Sequence, residues 1–320
     1  MKNKSFNIDE QSSNNFVRCF ENKTAFNIII PIYKSLTACD KLSISSLIKS
    51  TMCKGELKYP VYVITPEYNK NTIFNDFNNY IKESFNISIT QDRFISFDDK
   101  YFTSVAAYSK LLLKSYFYKT FYNLGFEYSY IFQLDCYLFR DELLYWINLG
   151  YDYIGAPILA TNSDWGENSS NIDYVGNGGF SLRNNKTFIT VLDQDGIYKD
   201  VYNKYKEILF NTRLPKNSDK CYIDFEDIYI CKLLAKYIKI RIPSANVASK
   251  FAWDRNPWCV QQKYNVELPM CCHNWILFSQ WYKKDIIKEI ELNKDIKEYC
   301  ENVIENFKNA DHPELTGYGN

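Results

Sequence analysis

The chain has 320 residues, of which 46% are hydrophobic and 17% aromatic, which is ample core material and too much for a largely disordered chain. Thirty-eight basic residues balance thirty-eight acidic ones, so no overall field draws the protein to nucleic acid or to an anionic membrane. The ten Cys are scattered, and five of them (Cys39, Cys53, Cys136, Cys231, Cys259) sit inside or beside apolar runs, as buried reduced thiols do.

A polar, Asn- and Ser-rich leader occupies residues 1–24 and has no apolar core of signal-peptide length. No later apolar run reaches the ~18 to 20 residues of a membrane span. A cytoplasmic protein is expected, working at most peripherally on the inner face of a membrane. Asn27 to Tyr33 reads as a short buried strand, and Ile44, Leu47 and Ile48 suit a helix before Met52. Val61–Thr65 reads as a strand, Thr72–Phe85 as an amphipathic helix and Arg93–Phe97 as a third strand. This alternation predicts an α/β fold with a mostly parallel sheet covered by helices.

One helix is predicted from Ser104 to about Tyr122, where Val105, Tyr108, Leu112 and Tyr116 recur at helical spacing. It leads into Tyr130–Asp135, a strand expected to end on its carboxylate. Thr161–Asn171 is a surface loop and a candidate substrate lid. Strands or short helices are expected at Phe180–Leu182 and Ile238–Ile242. Residues 284–320 should form a C-terminal helix, with Ile296, Tyr299, Val303 and Phe307 on one face, and a polar tail containing His312. The catalytic unit would then span 25–283, and core packing of the last helix predicts a monomer or weak dimer.

Four constellations carry candidate chemistry. Asp135, at the carboxyl end of an apolar strand, stands where ligands bind in open α/β sheets and offers a hard oxygen to Mg²⁺ or Mn²⁺; a helix cap near Asp141 is the alternative. Val175-Gly-Asn-Gly-Gly-Phe-Ser-Leu-Arg183 places three glycines in four positions, which lets a ligand approach the backbone closely, unless the run is a plain hairpin turn. Glu226 and Asp227 head an apolar run, where acids complement a helix dipole or supply a general base. His273, in Cys271-Cys-His-Asn-Trp275, is either a packed core residue or a ligand for a metal or diphosphate. With only two His in the chain and no CxxC pattern, a structural zinc site is not expected.

In order, these pieces resemble the core of GT-A glycosyltransferases, which carry a DxD-type motif, a glycine-containing loop, an xED motif and a C-terminal metal-binding His. The matching residues are Gln133-Leu-Asp135, Asn177-Gly-Gly-Phe180, Phe225-Glu-Asp227 and His273. The strings YDYIGAP, VGNGGFSLRN, EDIYIC and CCHNW, with Phe251-Ala-Trp-Asp254, are also similar to a family of bacterial and viral glycosyltransferase-like proteins long labelled a domain of unknown function. The resemblance covers about Asn27 to Tyr282.

It implies a Rossmann-like GT-A sheet and an enzyme that transfers a sugar from a nucleotide-diphosphate donor, most often a UDP-sugar, to a glycan, glycolipid or other hydroxyl acceptor, with inversion. It further implies that Asp135 and His273 hold Mn²⁺ or Mg²⁺, that Asp227 is the base, and that Glu226 orients the acceptor hydroxyl. Pro31 and Tyr33 would lie against the nucleotide base, Lys110 would reach the donor phosphates or ribose, and Gly178 and Gly179 would border the sugar pocket. Gln133 replaces the first acid of the motif, so the metal contact would rest on Asp135, or basic side chains would neutralise the phosphates instead. A non-catalytic carbohydrate-binding or assembly module on the same fold is the second reading. A sugar-nucleotidyltransferase would need a Gly-rich basic loop after the first strand, which Pro31–Leu36 does not supply.

Overall fold

The computed structural model describes residues 25–159, 173–193, 225–235, 238–254 and 257–277, together with Lys297 and Glu301. The expected leader, the loop at 161–171, His312 and the apolar face of the C-terminal helix lie outside the described residues.

The main sheet has six strands: β1 (Phe26–Pro31), β2 (Val61–Pro66), β3 (Phe94–Phe97), β4 (Tyr128–Phe132), β6 (Tyr153–Ile154) and β9 (Phe180–Asn184). Their spatial order is β3-β2-β1-β4-β9-β6. β1 pairs in parallel with β2 and β4, and β2 with β3. Only β9 runs against its neighbours, inserted between β4 and β6. Central strands with helices on both faces must be apolar throughout, and β1, β2 and β4 are accordingly buried at every position. The α/β, mostly parallel architecture expected from the sequence is therefore the one observed.

Helices fill the crossovers, with α1 at Ala38–Thr51 and α2 at Lys70–Phe85. α1 starts on a capping box: the Asp40 amide donates to the Thr37 hydroxyl, and the Thr37 amide to Asp40 Oδ2. The single helix expected at 104–122 is instead two, α3 (Val105–Leu112) and α4 (Ser115–Asn123). Lys114 between them is extended (φ −103°, ψ 124°). Leu111, Leu112, Leu113, Phe117, Tyr118 and Phe121 are all buried, yet at 100° per residue they would surround one straight helix. The break turns both groups inward.

Two other expectations change. β4 ends at Phe132, three residues before Asp135, and a tight turn closed by the Cys136 amide on the Gln133 carbonyl (3.0 Å) carries the chain into β5 (Tyr137–Leu138). Residues 238–242 form neither strand nor helix; Arg241 is tied there through its backbone to Asp152, at 2.7 and 2.8 Å.

A second, three-stranded sheet sits beside the first: β10 (Ala252–Trp253) parallel to β11 (Cys271–Cys272), and β11 antiparallel to β5. Of the five Cys beside apolar runs, Cys39 and Cys136 are buried, Cys231 and Cys259 are half-buried, and Cys53, on a short hairpin after α1, is exposed; Cys271 and Cys272 are also buried. No helix among the described residues is long and apolar enough to cross a membrane.

Candidate active site

The small sheet gathers residues far apart in sequence. β10 and β11 run side by side with Trp253 opposite Cys272, so the next residues, Asp254 and His273, emerge together at one end. The His273 amide donates to the Trp253 carbonyl at 2.8 Å. Asp135 arrives from the turn before β5, which is pinned from three sides. Ser43 donates to the Leu134 carbonyl, and the Trp275 indole donates to Ser43. The Trp275 amide donates to the Asp135 carbonyl. The next helix, Leu143–Asn148, has its N-cap at Glu142 rather than at Asp135, and Asp141 before it accepts from the Leu143 amide and from Lys58 and Tyr59.

His273 is half-enclosed by acids. Its Nε2 lies 3.0 Å from Asp135 Oδ1 but out of line for a hydrogen bond, so this buried nitrogen has no hydrogen-bonding partner among the described residues. Its Nδ1 lies 3.2 Å from Asp254 Oδ1, with the amide nitrogens of Asn177 and Asn274 at 3.0 and 3.1 Å. Burial alone would push the imidazole pKa down, but the carboxylates of Asp135 and Asp254 outweigh it and hold the pKa well above the usual histidine range.

An orphaned imidazole nitrogen facing a carboxylate oxygen fits a divalent cation between Asp135 and His273, with Asp254 orienting the ring from behind. The Cys136 sulfur lies within the same cluster. Its thiol donates to the Gly179 carbonyl, which leaves the Asp135 oxygen and the His273 nitrogen as the more available ligand atoms of the cluster.

The glycine run is not a hairpin turn. It links β8 (Tyr174–Val175), which pairs with β7 (Pro157–Ile158), to β9 in the main sheet. Protein groups approach its backbone closely, and Gly178 and Gly179 also line the inner cleft. A Cβ on Gly179 would collide with the His273 ring, and one on Gly178 with the Glu226 carboxylate and the Arg183 guanidinium. Neither glycine has positive φ; Asn177 takes the left-handed conformation instead (φ 63°), which Asn tolerates.

Glu226 and Asp227 open a short helix, α7 (Glu226–Ile228), continued as a π-turn over Tyr229–Leu234. Asp227 Oδ2 accepts from the Gly178 amide at 2.9 Å. Glu226 is turned into the protein: Oε1 accepts from Arg183 Nη2 at 2.7 Å and Oε2 from the Ser109 hydroxyl at 2.8 Å. The resemblance assigns it to orienting an acceptor hydroxyl; here each oxygen accepts from one buried partner, and the residue also lines the inner cleft.

Two adjoining clefts meet over these groups. The inner one, about 150 Å³, is lined by Gly178, Gly179, Glu226, Asp227, Asp254 and His273. The outer one, about 610 Å³, is lined by Pro31, Tyr33, Lys34, Asp40 and Asp135. Val105, Tyr108, Gln133 and Asn274 line both and form the neck between them. Every residue singled out in the sequence is thus brought to the two clefts except Lys110, which is exposed on α3 and lines neither.

The profile of the family described as "Protein of unknown function (DUF5672)" matches residues 91–273. The chain belongs to this DUF5672 family. The DUF5672 match starts just before β3 and ends on His273, so it spans Asp135, the glycine run, Glu226, Asp227 and Asp254 while leaving out Pro31 and Tyr33. It agrees with the resemblance read from the motifs. No curated protein matches the chain.

Among solved structures, the DUF5672 protein is similar to the galactosyltransferase LgtC in complex with donor and acceptor sugar analogues. The identity is 13% and the TM-score 0.46, over 77% of this chain and 86% of that one. It is also similar to mouse xyloside xylosyltransferase 1 (12%, TM-score 0.48, 78% and 97%). A third similar structure is the glycosyltransferase GlyE of Streptococcus pneumoniae TIGR4 (11%, TM-score 0.41, 78% and 54%).

Two functional residues escaped the motif reading. Asp254 was visible only as part of a quoted string, and Arg183 only as the end of the glycine run. Neither has a local pattern that announces its partner.

Proposed function

We propose that this chain is a GT-A glycosyltransferase, its catalytic unit running from about residue 25 to 283. It moves a sugar from a nucleotide-diphosphate donor, with a UDP-sugar the leading candidate, to a hydroxyl of a glycan, glycolipid or other acceptor in polysaccharide biosynthesis. The observation that carries this reading is the neck at which two clefts meet, with Asp135 on the outer side, His273 and Asp227 on the inner one, and His273 Nε2 3.0 Å from Asp135 Oδ1.

The outer cleft has the size and polarity for a nucleotide, with the half-exposed Tyr33 ring available to stack on the base. Asp135 and His273 would hold Mn²⁺ or Mg²⁺, which when bound supplies positive charge for the departing diphosphate. Asp254 keeps the His273 ring oriented so that Nε2 faces Asp135. Asp227 is the general base. It takes the proton of the acceptor hydroxyl as that oxygen bonds to the anomeric carbon from the face opposite the leaving group. The bond from that carbon to the diphosphate oxygen breaks, and the configuration inverts. The Gly178 amide donates to Asp227 Oδ2 and so fixes the carboxylate at the inner cleft. In the same reading the protein is cytoplasmic, peripheral at the inner membrane face, and a monomer or weak dimer.

Asp227→Asn tests the mechanism: it should abolish transfer while donor affinity and fold persist. A fully active variant would remove Asp227 from the base role. Nucleotide-sugar binding with no turnover for any acceptor, in the unmodified protein, would favour a non-catalytic binding module.

A further inference from the structure

The neck is unusual in its chemistry. The Tyr108 hydroxyl is shielded from water yet makes no hydrogen bond of ordinary geometry among the described residues, and the Gln133 side chain lies beside it. Both residues line the two clefts at once. A buried phenol without a partner is costly unless something else completes it, and here the open space on both sides belongs to the ligand path.

Together Tyr108 and Gln133 present an uncharged donor and acceptor set, which matches sugar hydroxyls in either hydrogen-bonding sense. Pro157, Ile158 and Phe225 line the inner cleft as well and supply apolar surface suited to the C–H face of a pyranose ring. Acids predominate around this space: Asp227 and Asp254 line the inner cleft, and Asp40 and Asp135 the outer one, against one lysine, Lys34, among the lining residues. The buried guanidinium closest to hand, Arg183, is committed to Glu226.

From this juxtaposition we infer that the group transferred is a neutral, hydroxylated sugar, held at the neck by the Tyr108 hydroxyl and the Gln133 amide. Sugars that carry a carboxylate are rejected by the surrounding acids. The inference rests on the nucleotide-sugar reading of the same clefts. Position 133 then has a definite use: an amide there reads a hydroxyl without adding a further negative charge beside Asp135 and Asp227.

The test is calorimetric titration of the full chain with Mn²⁺ present. The ligands are UDP, UDP-glucose, UDP-galactose and the two matching uronic acid nucleotides, and in parallel GDP, GDP-mannose and GDP-mannuronic acid. A neutral nucleotide sugar should bind at least as tightly as its parent nucleotide, and its uronic counterpart about tenfold more weakly or worse, since like charges oppose it. Tyr108→Phe should weaken the neutral nucleotide sugar by about tenfold and leave the parent nucleotide within about twofold, because only the sugar contact is lost.

Uronic donors that bind as well as neutral ones would overturn the inference while leaving the donor reading intact. So would a Tyr108→Phe variant that weakens nucleotide and nucleotide sugar alike. Failure of every nucleotide and nucleotide sugar to bind would overturn the donor reading and this inference with it. The comparison of neutral and uronic donors on the unmodified protein holds whether or not the Tyr108 variant folds.

Discussion

Arg183 and Glu226 form a salt bridge of 2.7 Å with both side chains almost wholly out of solvent, and it joins the strand after the glycine run to the turn that carries Asp227. Arg183 also donates to the Tyr118 and Ser181 hydroxyls and lies over the Tyr153 and Phe188 rings. Every arm of the guanidinium thus has a partner, as a buried charge requires. Removing one side of the pair should therefore be severe. Arg183→Leu is expected to lose about 3–5 kcal/mol of stability in denaturant titration. Arg183→Leu combined with Glu226→Leu should lose less than the sum of the single variants, and strict additivity would argue against a coupled pair.

The two adjacent glycines are expected to fail differently. Gly179→Ala pushes on the His273 ring, and Gly178→Ala on the Arg183–Glu226 pair. The first should leave a folded protein with metal affinity and turnover reduced by about a hundredfold, the scale of a small misplacement of a reacting group. The second should lower stability by about 1–3 kcal/mol, as overpacking does. Thermal melts and kinetics on the two variants separate the cases.

Asp254 touches His273 from the side away from Asp135. Asp254→Asn should weaken Mn²⁺ binding about 10- to 100-fold, the usual effect of removing a group that orients a metal-ligating imidazole. Unchanged metal affinity in a folded variant would show that Asn177 and Asn274 orient the ring on their own.

Acid should compete with the metal. In the metal-free protein the carboxylates hold the His273 pKa above its unfolded value of about 6.5. That interaction stabilises the fold fully below about pH 6.5 and is lost as pH rises through the raised folded value. A cation on Nε2 must displace the proton, so Mn²⁺ affinity should climb with pH and binding should release a proton. Titrations in buffers of different ionisation enthalpy measure that release, and His273→Gln should abolish it.

The main sheet was legible in the sequence because buried parallel strands are continuous apolar runs, as in Phe26–Pro31 and Tyr128–Phe132. The break at Lys114 was not, because periodicity counts apolar residues without asking whether they can all face one way. Within the site, Asp135, Asp227 and His273 were readable from residue type and order. The crowding at the glycines was not legible, since only the fold brings His273, Glu226 and Arg183 against Gly178 and Gly179, which also line the inner cleft. Glu226 looked like a reactive acid because its neutralising partner, Arg183, lies 43 positions away in the chain.

The small sheet of β5, β10 and β11 also sets an order of events during synthesis. All six strands of the main sheet have been made by Asn184, but Asp254 and His273 come much later. A nascent chain can therefore assemble its central layer, with the turn at Asp135 already held by Ser43 and Gly179, while Asp254 and His273 are still missing. The site is armed only when Cys271 and Cys272 add the middle strand of the small sheet. A chain cut shortly before Cys271 would keep every strand of the main sheet and yet lack the imidazole on which the proposed chemistry depends.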